Sequence, residues 1–96
     1  GVLPWLVPGT VEIAKLTCEK MKTYDAVLWA QHGLFVTGDT FEDTFGLMHT
    51  IEKSAEILVK VRSMAAEKLQ VPSVQNFRDM AEAFQLKLPE KFLFEK

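Results

Sequence analysis

No basic run occurs anywhere in this 96-residue sequence. Eleven Lys and Arg stand against 13 Asp and Glu, a formal net charge of −2. The densest cationic stretch, Lys60 to Arg62, is interrupted by Val61 and followed by Ser63. A nucleic-acid partner needs a basic face to neutralise phosphates, so none is expected. A polybasic membrane patch is absent for the same reason. Long apolar runs are also missing. Ala26 to Ala30 falls far short of the roughly 20 residues a bilayer span needs, so no membrane partner is expected. No charged segment precedes an apolar one at the start, so no signal peptide is read. There is no phosphate-cradling glycine loop and no Ser-His-Asp or Cys-His arrangement at readable spacing. The one cysteine, Cys18, cannot make an internal disulfide, which fits a reducing, cytoplasmic compartment. Its plain reading is a small buried helix residue. Position 1 is Gly, not Met, so a processed, trimmed or partial chain is expected.

What is present is ordinary globular material: 48% hydrophobic and 25% charged residues. Val2 to Val7 is apolar and β-prone, but Pro4 has no N–H for a ladder, which demotes the run to an edge or terminal strand. Thr10 can cap a helix over 11–22, with Glu12 in its first turn. Ile13, Leu16 and Lys20 share one face of that helix, and Ala14, Cys18 and Met21 share the adjoining one. Ala26 to Ala30 reads as a strand buried on both faces. Gln31, His32 and Gly33 interrupt it before a second β-prone run, Leu34 to Thr37, and together these suggest a hairpin. Thr40, with Asp43 three residues on, opens the longest element. Phe41, Phe45, Met48, Ile51, Ala55, Leu58, Val61, Ala65 and Leu69 recur at steps of three and four, which predicts an amphipathic helix over 41–68. Gly46 within it suggests a close packing contact. Ser73 caps a last helix, 74–85, with Phe77, Met80, Ala81 and Phe84 on one side, and Pro89 starts an irregular tail.

A helix of that length measures about 42 Å, whereas a globule of this size has a radius of gyration near ~13 Å. Three short strands are a thin sheet to receive it. The long helix therefore suits a larger sheet or another subunit.

Few residues can carry chemistry. His32 sits at a strand break beside a residue without a side chain, so it can be aimed into a cleft as a metal ligand. The alternative is a hydrogen-bonded turn histidine, and the local pattern leaves both open. His49 reads as a solvated helix residue. Cys18, His32 and His49 are separated by 14 and 17 residues, which match no common zinc motif. The chain by itself is thus expected to donate one ligand to a site completed elsewhere. Glu42 and Asp43 complement a helix N-terminus, and Glu52 and Glu56 stand one turn apart on a solvated face.

At this point the residues resemble a known family. Leu3-Pro4-Trp5-Leu6-Val7-Pro8-Gly9-Thr10, then Val27-Leu28-Trp29 with His32-Gly33 and Phe35, is similar to the C-terminal third of class II aldolases. So is Thr40 through Met64, with T-x-x-D-T-F-G-L, E-K-S-A and I-L-V-K-V-x-S-M. The P-W-x-V-P-G-T stretch from Pro4 to Thr10 and the E-K-S-A-x-x-L-V-K-V-x-S-M stretch from Glu52 to Met64 resemble the rhamnulose-phosphate branch in particular. The resemblance covers Gly1 to about Met64, and more loosely to about Leu86.

It implies an α/β chain, the C-terminal portion of a layered α/β/α fold, here a β-hairpin and three helices within one domain. It implies a homotetramer that binds zinc through three histidines. Two come from an upstream His-x-His pair, and the third corresponds to His32. The implied reaction is cleavage of L-rhamnulose 1-phosphate, a sugar phosphate, to dihydroxyacetone phosphate and L-lactaldehyde. The catalytic glutamate of the family lies upstream of Gly1, so no residue of this chain takes that role. His32 would be neutral, with one ring nitrogen on the metal and the other held by an acceptor. Ala30-Gln31 departs from the Pro-Phe expected before the histidine. Two alternatives stand beside this reading: a related sugar-phosphate aldolase or epimerase, and a non-enzymatic module using its long helix as a partner surface.

Overall fold

A computed structural model describes residues 1–64 and 70–94. The chain divides into two units, Gly1–Lys60 and Val61–Lys96. The order of elements is β1 (Val2–Leu3), α1 (Val11–Met21), β2 (Ala26–Trp29), β3 (Gly33–Val36), α2 (Phe41–Ser63) and α3 (Val74–Ala83), followed by a 3-10 turn at Glu90–Phe92. The expected α/β class, hairpin and three helices are all present.

In the first unit the sheet runs β1-β2-β3, with β1 parallel and β3 antiparallel to β2. β1 stops at Leu3 because Pro4 has no N–H to continue the ladder. It lies at the sheet edge, as its proline requires. α1 is the crossover between the parallel pair, the usual way of joining such strands. Gly9, at φ 79, makes the turn into it. Thr10 then caps it: its hydroxyl accepts from the Ile13 N–H at 3.4 Å and donates to the Val7 carbonyl at 2.8 Å.

Register partners share a face of the sheet. Pairing of Val27 with Phe35, and of Trp29 with both Leu3 and Gly33, sets Leu3, Val27, Trp29 and Phe35 on one face. α1 covers that face, and Leu3, Ile13 and Val27 form the core with Leu6, Met21 and Trp29 packed against it. The other face carries Val2, Ala26, Leu28, Leu34 and Val36. The expectation that β2 is buried on both sides is therefore corrected: Val27 is fully buried, but Leu28 is 47% exposed. The apolar run fits two faces, and the described residues cover one.

α2 begins as expected, with the Thr40 hydroxyl accepting from the Asp43 N–H at 3.1 Å. It ends at Ser63, and Met64 turns out of it, its N–H reaching the Val61 carbonyl at 3.2 Å. The expected helix to residue 68 is thus shorter by Met64 at least; Ala65 and Leu69 of its stripe lie outside the described residues. No residue of α2 is buried. A methyl group at Gly46 would meet no atom within 4 Å, so the close contact expected there is not found among the described residues.

In the second unit, Ser73 and Asn76 form a reciprocal capping box at the start of α3. The helix ends at Ala83 rather than residue 85, closed by a bond from the Leu86 N–H to the Ala81 carbonyl at 2.8 Å. Gln85 takes the left-handed position of this Schellman-type end at φ 54, a place usually held by glycine. Arg78 reaches Glu90 with Nη2 at 3.1 Å and Nε at 3.4 Å. The tail after Pro89 is not wholly irregular, since it contains the 3-10 turn. None of the described residues of this unit is buried.

Candidate functional site

His32 is the last residue of the three-residue loop joining β2 and β3. Trp29 pairs with Gly33 across it, and the His32 N–H bonds the Trp29 carbonyl at 3.0 Å to close the turn. Gln31 carries the sharpest bend, at φ 59. Glycine or asparagine adopts that geometry more readily, so a glutamine there holds local strain. This is the segment where Ala30-Gln31 departs from the expected Pro-Phe. A side chain at Gly33 would meet nothing within 4 Å.

The loop leaves His32 exposed. Its ring stacks on Trp29 with centroids 5.4 Å apart and planes at 22°. Among the described residues neither ring nitrogen has a hydrogen-bond partner, so the acceptor expected behind the imidazole is not among them. Trp29 is itself held in place. Its Nε1 donates to the Thr17 hydroxyl at 3.0 Å, and its ring stacks with Phe35 at 5.7 Å and 15°. Thr17 is 5% exposed and donates to the Ile13 carbonyl at 2.6 Å. A groove of ≈ 580 Å³ opens beside these groups between α1 and the sheet, with Met21, Trp29 and Phe35 in its wall.

Of the other candidates, Cys18 lines the same groove. Cys18 is exposed, which corrects the expectation of a buried thiol. The reason is angular: Ile13 and Thr17, four apart, face the sheet, and the next residue is rotated about 100° off that face. His49 is exposed on α2, tilted against Phe45 at 6.4 Å. Glu42 and Asp43 sit in the first turn of α2, as expected. Glu56 pairs with Lys60 at 2.8 Å and Lys53 at 3.1 Å, and these bonds hold its carboxyl below the usual range, Lys60 contributing most. Among the described residues no group of three or more His, Cys, Asp or Glu could hold a metal ion. No described helix is long and apolar enough to cross a membrane.

Thr17 and Trp29 were not legible as site residues. A tryptophan in a half-buried strand does signal that its N–H needs a partner, but the partner is a helix threonine twelve positions earlier.

The family profile described as Class II Aldolase and Adducin N-terminal domain matches residues 1–59. The chain belongs to this family. It is 54% identical over 68 residues to a rhamnulose-1-phosphate aldolase of Pectobacterium atrosepticum, covering 71% of this chain and 25% of that protein. Over 84 residues it is 51% identical to the protein of that name from Mannheimia succiniciproducens, covering 88% of this chain and 30% of the relative. The Klebsiella pneumoniae protein is 56% identical over 68 residues, 71% of this chain and 25% of its own length. The chain thus spans between a quarter and a third of the length of the curated relatives it matches. The resemblance to class II aldolases, drawn from Leu3 to Thr10, from Val27-Leu28-Trp29 with His32-Gly33 and Phe35, and from the motifs of Thr40 to Met64, agrees with this membership.

Proposed function

We propose that this chain is the C-terminal portion of a zinc-dependent lyase that cleaves L-rhamnulose 1-phosphate to dihydroxyacetone phosphate and L-lactaldehyde. The observation that carries the reading is His32: an exposed imidazole at a hairpin tip, with neither ring nitrogen bonded among the described residues, in a class II aldolase chain. The donor chemistry fits one zinc ligand, because neutral imidazole is a common partner for this metal. The remaining ligands and the proton-transferring carboxylate would come from other residues of the complete enzyme. Bound zinc would supply a Lewis acid for the substrate's oxygens. The contribution of this chain is to hold one imidazole in a fixed place and to bury the base of the hairpin. Assembly as a cytoplasmic homotetramer belongs to the same reading, supported by the open apolar stripe of α2.

The test uses the full-length protein containing this chain. Wild type is expected to hold stoichiometric zinc and to cleave rhamnulose 1-phosphate, and His32→Ala is expected to lose the metal and most of the activity. Full zinc content in His32→Ala would overturn the assignment. Faster turnover of a different sugar phosphate would move the protein to another branch of the family. The isolated 96 residues are expected to show no cleavage; robust activity there would contradict the proposal.

A further inference from the structure

The geometry points to Trp29, locked by Thr17, as the positioning residue that fixes the ring of His32; its use in metal binding rests on the reading given above. A histidine at an exposed hairpin tip is free to turn about two side-chain bonds. That freedom is lost when a ligand binds, which weakens the interaction unless the ring is already held. Among the described residues the only ring contacting His32 is Trp29. The turn-closing bond from the His32 N–H to the Trp29 carbonyl brings the two residues together.

The polarity of the anchor is determined. An indole N–H can only donate. A threonine hydroxyl has one proton, and that of Thr17 goes to the Ile13 carbonyl at 2.6 Å. The same oxygen is therefore left as the acceptor for Trp29 Nε1 at 3.0 Å. Burial of Thr17 keeps water from competing for it, since only 5% of the residue is exposed. Phe35 and the Leu3-Ile13-Val27 core hold the rest of the indole. The order of support runs from α1, through Thr17, to the Trp29 ring, and from there to His32.

The experiment compares Thr17→Val, which keeps the shape and removes the acceptor, with Thr17→Ser, which keeps the hydroxyl, in the full-length protein. One readout is the ring-proton shifts of labelled histidine in the metal-free protein, with His32→Gln identifying the resonances. The other is zinc affinity by competition with a chelator. Stacking on the indole is expected to move the His32 ring protons upfield in wild type and in Thr17→Ser. Thr17→Val is expected to return them towards free-histidine values and to weaken zinc binding about tenfold, at the low end of the effect of groups behind a metal ligand. Should Thr17→Val fail to fold, Trp29→Phe, which keeps a ring without the N–H, is expected to act in the same direction. Wild-type ring shifts and wild-type zinc affinity in the folded variant would overturn the proposal. Ring shifts that respond to Thr17→Val in a protein that binds no zinc would support the positioning role and refute the metal reading.

Discussion

Val27 is the best-enclosed side chain of the chain's described residues, at 0% exposure. Shortening it to alanine removes two buried methyl groups and leaves a gap between α1 and the sheet. Val27→Ala is expected to destabilise the first unit by about 2 kcal/mol, read as a lower denaturant midpoint. Gln31 offers the opposite case. Its left-handed backbone disfavours any residue with a Cβ, so Gln31→Gly is expected to stabilise the hairpin by about 1 kcal/mol, seen as a raised Tm. Val27 was legible in the sequence because it lies inside a continuous apolar run. Thr17 was not, because a lone hydroxyl on a helix reads as solvated until the strand that supplies its indole partner is folded against it. Cys18 misled for a related reason: its chemistry favours burial, but its angle about α1 puts it on the wall of an open groove, where it is exposed.

At the scale of elements, helix starts were the most legible feature. Thr10, Thr40 and Ser73 each accept from the backbone N–H three residues ahead. Such caps depend on neighbours in sequence, so local reading finds them. Ser73→Ala removes one acceptor of the capping box and is expected to cost α3 about 1 kcal/mol, measured as faster hydrogen exchange at residues 74–77. Helix ends were less legible, since they depend on turn geometry and tertiary support. α2 also shows which electrostatics matter little. Glu56 lies between Lys53 and Lys60 on the exposed surface, where such pairs contribute little. Its depressed pKa means that any stabilisation is present above the ordinary carboxylate range and fades as pH falls through the folded value. Glu56→Gln is accordingly expected to leave the Tm at neutral pH almost unchanged.

Across the whole molecule, large apolar side chains remain open to solvent. Phe41 is 79% exposed and Phe45 61% on α2, Leu28 47% on the sheet and Phe84 70% beyond α3. Surfaces of this kind mark interaction sites or association. The isolated chain is expected to bind a hydrophobic dye and to self-associate with rising concentration in sedimentation, whereas the full-length protein is expected to do so far less. A monodisperse, dye-negative isolated chain would contradict this. The sequence by itself determined the element types, the helix caps, the edge strand at Pro4 and the family, because each rests on local chemistry or on periodicity along one segment. Only the tertiary structure decided which face of β2 is covered, that Cys18 is exposed, and that Thr17 anchors the indole beneath His32. Those outcomes depend on how α1 lies across the sheet, and contacts between segments distant in sequence leave no periodic trace in either one.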